Sequence, residues 1–216
     1  EAAFSRPNVG ANSGATVFDK ERKFKELAED EADWSWSLNG GCPRILMRPQ
    51  LQNLCLDSEP SVDPGQGTRL GVIFSDNDWG IGLDGKVTFP DNATTYRYAS
   101  AGSLNAGYYT IAFLAKKVQG GTVTVGAGST GADLAVIMGG TTSIGNIETV
   151  LWRDDIYFCK AIHNSSSGSL FGIQKATGES ADAVEVSSIM IVTGNVDLSP
   201  SDYVKTTGSA ATRSTN

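Results

Sequence analysis

A chain of 216 residues with 40% hydrophobic side chains can bury a substantial core, as one domain of above-average size or one domain with an appended segment, so disorder by composition is excluded. Its 17 basic against 24 acidic residues leave a net charge of -7, the wrong sign for holding a phosphate backbone, and nucleic acid is not an expected partner. No apolar run approaches the roughly 18 residues of a membrane span, so no membrane insertion is expected, and the opening EAAFSRPNVG lacks the basic and apolar blocks of a signal peptide.

Glycine, at 25 residues, exceeds its usual share of about 7%. With plentiful Ser, Thr, Val and Ile this favours many short strands joined by tight turns. Residues 1–20 carry short β-like pieces and turn residues, PNVGANSG ahead of ATVFD. The charged stretch DKERKFKELAEDEADW, residues 19–34, reads as two or three helical turns or as a hairpin with charged edges. Its apolar stripe, Phe24 and Leu27, is too sparse to anchor a long helix, which favours mixed irregular structure. In SWSLNGGCPRILMRPQLQNLCLDSEP, NGG is a turn, RILM is a short strand halted by Pro49, and QLQNLCL alternates with one phase slip. PSVDPGQG, residues 60–67, reads as a linker, which puts a boundary there.

From residue 68 the rhythm is regular: TRLGVIF, GKVTF, TTYRYAS, GYYTIAFLAKK, GTVTVGAG, ADLAVIMG, VLWRDDIYFCKAI, GSLFGIQK and DAVEVSSIMIV. In YTIAFLA, Tyr109, Ile111 and Phe113 share one face and Thr110 and Ala112 the other. That many short segments require an all-β fold, an antiparallel β-sandwich over residues 67–200, and the boundary before it sets residues 1–66 apart as an N-terminal arm. The three cysteines, Cys42, Cys55 and Cys159, are an odd number in a large domain. Free buried thiols in a reducing compartment of assembly are favoured, with a Cys42–Cys55 bridge the alternative.

CPRILMRPQLQNLCLDSE resembles a block found in phage tail and other virion structural proteins, AFSRPNVGANSGATVFDKERKFKELAEDEADW is similar to their lead-in, and LSPSDYVKTTGSAATRST to their exit segment. DWGIGLDGKVTFPDNATTYRYAS, YYTIAFLAKK, VLWRDDIYFCKAI and LFGIQKATGESADAVEVSSIMIVTG resemble, in that order, the strands of carbohydrate-binding-module-type jelly rolls with a galactose-binding-like fold. Where such relatives carry a carboxylate and a base, this chain has Arg48 and Gln52, so a salt bridge there is lost or reversed. The resemblance implies a jelly roll whose tail, a C-terminal connector over 201–216, leaves the sandwich from an anchor at Tyr203 and Val204.

Catalytic chemistry finds few candidates. The single histidine, His163, could recruit Ser165 or Ser166 with Asp154 or Asp155, but a loop residue in a Ser-rich turn is the plainer reading. The cysteines lack zinc spacing. Asp76, Asn77 and Asp78 offer hard oxygen ligands for Ca²⁺ yet depart from the EF-hand pattern, which favours a plain Asx-rich turn and no cofactor. GAGSTGADLAVIMGG lacks the Walker lysine and a following helix, so it reads as a hairpin. Trp79, Tyr96 and Tyr98, with Asp76 and Asn77, are the candidates for stacking on a pyranose and binding its hydroxyls, whereas the resemblance implies that Trp152 and Tyr109 are core aromatics.

The resemblance implies a bacteriophage virion protein of the tail, fibre or capsid surface, and the lack of a convincing catalytic group makes a non-enzymatic one the expectation. It would assemble with other copies of itself, as a trimer, and with other virion proteins, and would contact host cell-surface glycans with avidity from multivalent display. Trp34, Trp36, Ile45, Leu46 and Met47, outside the regular sandwich, are the expected assembly contacts. The alternative is a secreted carbohydrate-binding module detached from a bacterial polysaccharide hydrolase. A depolymerase is the weakest reading, since no convincing catalytic group stands out.

Overall fold

The computed structural model describes residues 15–27, 34–36, 44–45, 50–65, 68–91, 93–99, 101, 104–127, 131–138, 144–165, 171–178 and 180–213. Before residue 66 lie β1 (Thr16–Phe18), β2 (Phe24–Glu26), β3 (Trp34–Ser35), β4 (Arg44–Ile45) and β5 (Leu51–Asn53). The regular part follows with β6 (Thr68–Leu70), β7 (Ile73–Asp76), β8 (Gly85–Phe89), β9 (Tyr96–Ala99), β10 (Gly107–Lys117), β11 (Val125–Ala127) and β12 (Leu134–Met138). It is completed by β13 (Ile144–Arg153), β14 (Ile156–Ser165), β15 (Phe171–Lys175) and β16 (Val184–Thr193), then a 3-10 turn at Pro200–Asp202 and β17 (Ala211–Arg213).

Two sheets make the sandwich. One has the order β13-β14-β10-β16-β8-β7, antiparallel throughout, and the other β11-β12-β15-β9-β6. Alternation along each strand puts one set of side chains between them. Val87, Phe89, Tyr109, Ile111, Phe113, Cys159, Ala161, Val186 and Ile191 from the first sheet meet Tyr96, Tyr98, Leu134, Val136 and Ile173 from the second in one dry core. The fold is therefore an all-β sandwich.

The sequence VEVSSIMIV changes phase in mid-strand, and the structure shows why this is tolerated. Ser188 sits at φ 47° and the register of β10 against β16 slips between Ala112 and Leu114. A bulge there returns Ile189 and Ile191 to the inner face already used by Val184 and Val186. Likewise TRLGVIF is two strands: the chain turns at Gly71, φ +68°, sending β6 and β7 into different sheets.

The central strands β10 and β16 are buried on both faces. Their outer face, carrying Ala112, Leu114, Met190 and Val192, is covered by a layer built from both ends of the chain: Phe18, Phe24, Leu51, Leu198, Tyr203, Val204 and Ala211, with Ile81 and Leu83. Phe24 touches Phe18, Trp152 and Tyr203 at ring separations of 4.8, 5.7 and 5.6 Å. This corrects two expectations. The described part of residues 1–66 is no detached arm, and the tail does not leave the sandwich after Tyr203 and Val204, because β17 returns to pair with β5. An uncovered sheet face of that apolarity would be exposed to water, and the two ends remove it.

A buried polar seam stitches the ends together. Asn53 donates to the carbonyls of Ile189 (3.0 Å) and Val204 (2.7 Å), and its oxygen accepts from the amides of Cys55 (3.0 Å) and Ile191 (2.9 Å). The Tyr203 hydroxyl donates to Glu59 at 2.5 Å and lies 2.6 Å from the Ser58 hydroxyl. Burial raises the Glu59 carboxyl above its ordinary range, outweighing the Asp84 amide and the Tyr203 hydroxyl that favour its charge.

The remaining sequence expectations can be placed on this frame. Of the charged stretch 19–34, the part at 19–26 forms the turn and second strand of the β1–β2 hairpin, not irregular structure, and 28–33 lie outside the described residues. The Gly-rich stretch at 126–140 is not a hairpin: β11 and β12 pair in parallel. Tyr109 is a core aromatic as expected, and Trp152 packs on the outer layer. Cys55 and Cys159 are buried, Cys159 with its thiol pushed far up by burial, while Cys42 lies outside the described residues.

Candidate functional site

The expected sugar platform does not assemble. Tyr96 and Tyr98 are buried in the inner core, their hydroxyls donating to Asp91 (2.8 Å) and to the Asp57 carbonyl (3.0 Å). Alternation on β9 puts them on one face, as read from the sequence, but that face is the inner one. Trp79 lies on the other side of the six-stranded sheet, half-buried against the outer layer, with its indole N–H on Glu185 at 2.9 Å. Asn77 caps its own turn by accepting from the Trp79 amide, Asp78 is tied to Lys86 at 2.6 Å, and Asp76 is exposed at the end of β7. Of the expected assembly contacts, Trp34 and Ile45 pair through their backbones in β3 and β4, and Trp36 is half-buried with its amide on the Phe18 carbonyl; Leu46 and Met47 lie outside the described residues.

His163 is also not where it was expected. It lies in β14, fully buried opposite Tyr109 and Ile144, rather than in a turn. Asp154 and Asp155 sit at the far end of the ten-residue β14, about 25 Å away at the usual rise per residue, so no Ser-His-Asp arrangement forms with them. Among the described residues there is no group of three or more His, Cys, Asp or Glu that could hold a metal ion, and no helix long and apolar enough to cross a membrane.

The charged groups follow a different plan. Four lysines each bridge two carboxylates: Lys86 with Asp78 and Glu185 (2.6 and 2.7 Å), Lys117 with Asp133 and Asp182 (2.9 and 3.0 Å), Lys160 with Asp197 and Glu148 (2.5 and 2.8 Å), and Lys205 with Asp84 and Glu26 (2.6 and 3.7 Å). Burial works against each ammonium, but the paired carboxylates outweigh it and hold all four pKa values above the ordinary lysine value.

No family model matches the chain, and no curated protein does.

The Lys160 triad opens onto a cleft of about 410 Å³. Asn146, Ile147 and Glu148 come from β13, Lys160 and Ile162 from β14, and Asn195, Val196 and Asp197 from the loop after β16. Glu148 and Lys160 are register partners, and a bulge between Gly145 and Glu148, with Asn146 at φ 48°, turns the strand edge beside them. The loop is fixed from below. Thr110 donates its hydroxyl to the Gly194 carbonyl (2.9 Å) and accepts from the Val196 amide (3.0 Å), while the Gly194 amide bonds the Tyr108 carbonyl (2.6 Å). Lys160 closes the cleft base by reaching Asp197, whose carboxyl that bond holds below its ordinary value.

None of these residues was a sequence candidate. Asn146, Glu148, Lys160, Asn195 and Asp197 come from three separate segments, each unremarkable alone. The one local signal is GNIE interrupting an otherwise alternating strand.

Proposed function

We propose that the protein is a non-enzymatic structural component of a bacteriophage virion, a jelly-roll sandwich that contacts host-surface glycans and assembles with copies of itself and other virion proteins. The observation that carries the non-catalytic part is the set of lysine-bridged carboxylates. In each of these triads both carboxylates face one ammonium, which fills the space between them where a glycan-cleaving pair has to admit the scissile bond and water. The resemblance of the first sixty residues and the tail to virion segments supports the location. The sealing of an apolar sheet face by both chain ends supports a durable, static module. A hydrolase-borne binding module shares the same sandwich and is separated from this reading by where the protein is found.

The test is mass spectrometry and immunogold labelling of purified phage particles, with sedimentation of the recombinant chain. The proposal expects the protein in particles at a fixed stoichiometry, a sedimenting homo-oligomer, and no release of reducing sugar from polysaccharide. Its absence from particles, or turnover of polysaccharide abolished by Glu148→Gln, overturns the proposal.

A further inference from the structure

We infer that the cleft between β13, β14 and the 194–197 loop is a binding site for a neutral hexose. The assignment rests on the reading of the sandwich as a glycan-contacting module and names the place and the sugar class.

A hexose presents neighbouring hydroxyls that both donate and accept, around a ring with apolar C–H faces. The cleft offers the complement. Lys160 occupies one oxygen each of Glu148 and Asp197, leaving the second oxygens as acceptors, and two bonds leave the third hydrogen of its ammonium as a donor. The side chains of Asn146 and Asn195 have no hydrogen-bond partner among the described residues, so each brings a donor and an acceptor uncommitted to the fold. Ile147, Ile162 and Val196 supply aliphatic surface for the ring. The volume lies within the roughly 300–1,000 Å³ of small-molecule sites. Lys160 is buried and doubly ion-paired, and the backbone of the loop that carries Asn195 and Asp197 is pinned by Thr110, so the frame of the cleft is set before a ligand arrives.

Other ligands fit less well. A divalent cation would have to displace the ammonium that already sits between the two carboxylates. An acidic sugar would meet two carboxylates against one lysine, a formal charge of about -1. The lining has no aromatic ring for stacking, so a single site binds weakly, with Kd on the order of 1 mM, and useful binding comes from several copies on one particle.

The experiment is a titration of the ¹⁵N-labelled chain with glucose, galactose, mannose and N-acetylglucosamine, and separately with glucuronate, following amide shifts. At least one neutral hexose is expected to move the amides of 145–148, 160–162 and 194–197, unaffected by a chelator, and Asn195→Ala to weaken it fivefold or more. Asp197→Ala, which removes one carboxylate, is expected to improve glucuronate binding at least fivefold, a change that loss of packing would not produce. Asn195 and Asp197 are both exposed, and unchanged shifts in β10 and β16 verify that the variants fold. Hexose binding that neither substitution alters, or shifts confined to another surface, overturns the cleft assignment alone. Wild-type preference for glucuronate overturns the sugar class. Failure of every sugar to bind overturns the assignment together with the glycan-contact reading.

Discussion

Replacing Asn53 by alanine tests whether the chain ends are structural parts of the sandwich. The side chain is fully buried and makes four hydrogen bonds, to residues 55, 189, 191 and 204, so it ties β5 to β16 and to the tail in one step. Alanine leaves the Cys55 and Ile191 amides without their acceptor inside the protein. An unsatisfied buried donor costs about 1–3 kcal/mol, so the pair costs about 2–6 kcal/mol, with a smaller addition from the two carbonyls. Set against a total of about 5–15 kcal/mol, this is a large fraction of the stability. With a slope of about 3 kcal/mol per molar urea, a central loss of about 4 kcal/mol lowers the unfolding midpoint by about 1.3 M. Urea unfolding followed by tryptophan fluorescence measures it, with Gln52→Ala, exposed on the same strand, as a control expected within about 0.5 kcal/mol of the parent. An Asn53→Ala midpoint indistinguishable from that of Gln52→Ala would refute the reasoning.

Three further outcomes follow from named contacts. The raised Glu59 carboxyl contributes stability that is fully present below its ordinary value of 4.5 and lost as pH rises through its folded pKa, whereas Asp78, Asp133 and Asp197, lowered from 3.8, contribute stability that is lost as pH falls through theirs. Melting temperature should therefore peak in weak acid, and the rise between neutral pH and that peak should shrink in Glu59→Gln; an equal rise in both proteins contradicts the assignment. Gly85→Ala places a Cβ 2.3 Å from the Glu59 carbonyl oxygen and the Ser61 nitrogen, so it should destabilise by about 1–3 kcal/mol in denaturant unfolding. Trp79→Phe removes the bond to Glu185 and should lower stability by about 1–3 kcal/mol while leaving sugar affinity unchanged, since Trp79 does not line the cleft; lost sugar binding would restore the platform the structure dismantles.

Alternation was a reliable guide wherever one residue's neighbours decide its face. GYYTIAFLAKK is β10 from end to end, and Tyr109, Ile111 and Phe113 share the inner core as their spacing indicates. What alternation cannot say is which face is wet. Alternation puts Tyr96 and Tyr98 on one face of a strand, where they are candidates for a platform until the structure shows that face to be the inner one, because nothing local distinguishes an aromatic platform from an aromatic core. The stripe of Phe24 and Leu27 is too sparse for a long helix, and Phe24 is instead buried in a hairpin by Trp152 and Tyr203, partners well over a hundred residues away. The tail, expected to leave the sandwich, carries no apolar pattern that marks its return, because what holds it is polar: Thr206 donates its amide to the Ser58 hydroxyl, and the Tyr203 hydroxyl donates to Glu59. The cleft was invisible for the same reason, since Glu148 and Asp197 become neighbours only through Lys160.

Native-state hydrogen exchange tests the closed outer face most directly. The account predicts that the amides of Leu54, Ser58 and Thr206, bonded to the Ile191 carbonyl, the Thr206 carbonyl and the Ser58 hydroxyl, exchange as slowly as those of β10 and β16. Exchange of residues 51–59 and 203–213 at the rate of an unstructured chain, while β10 stays protected, would contradict it.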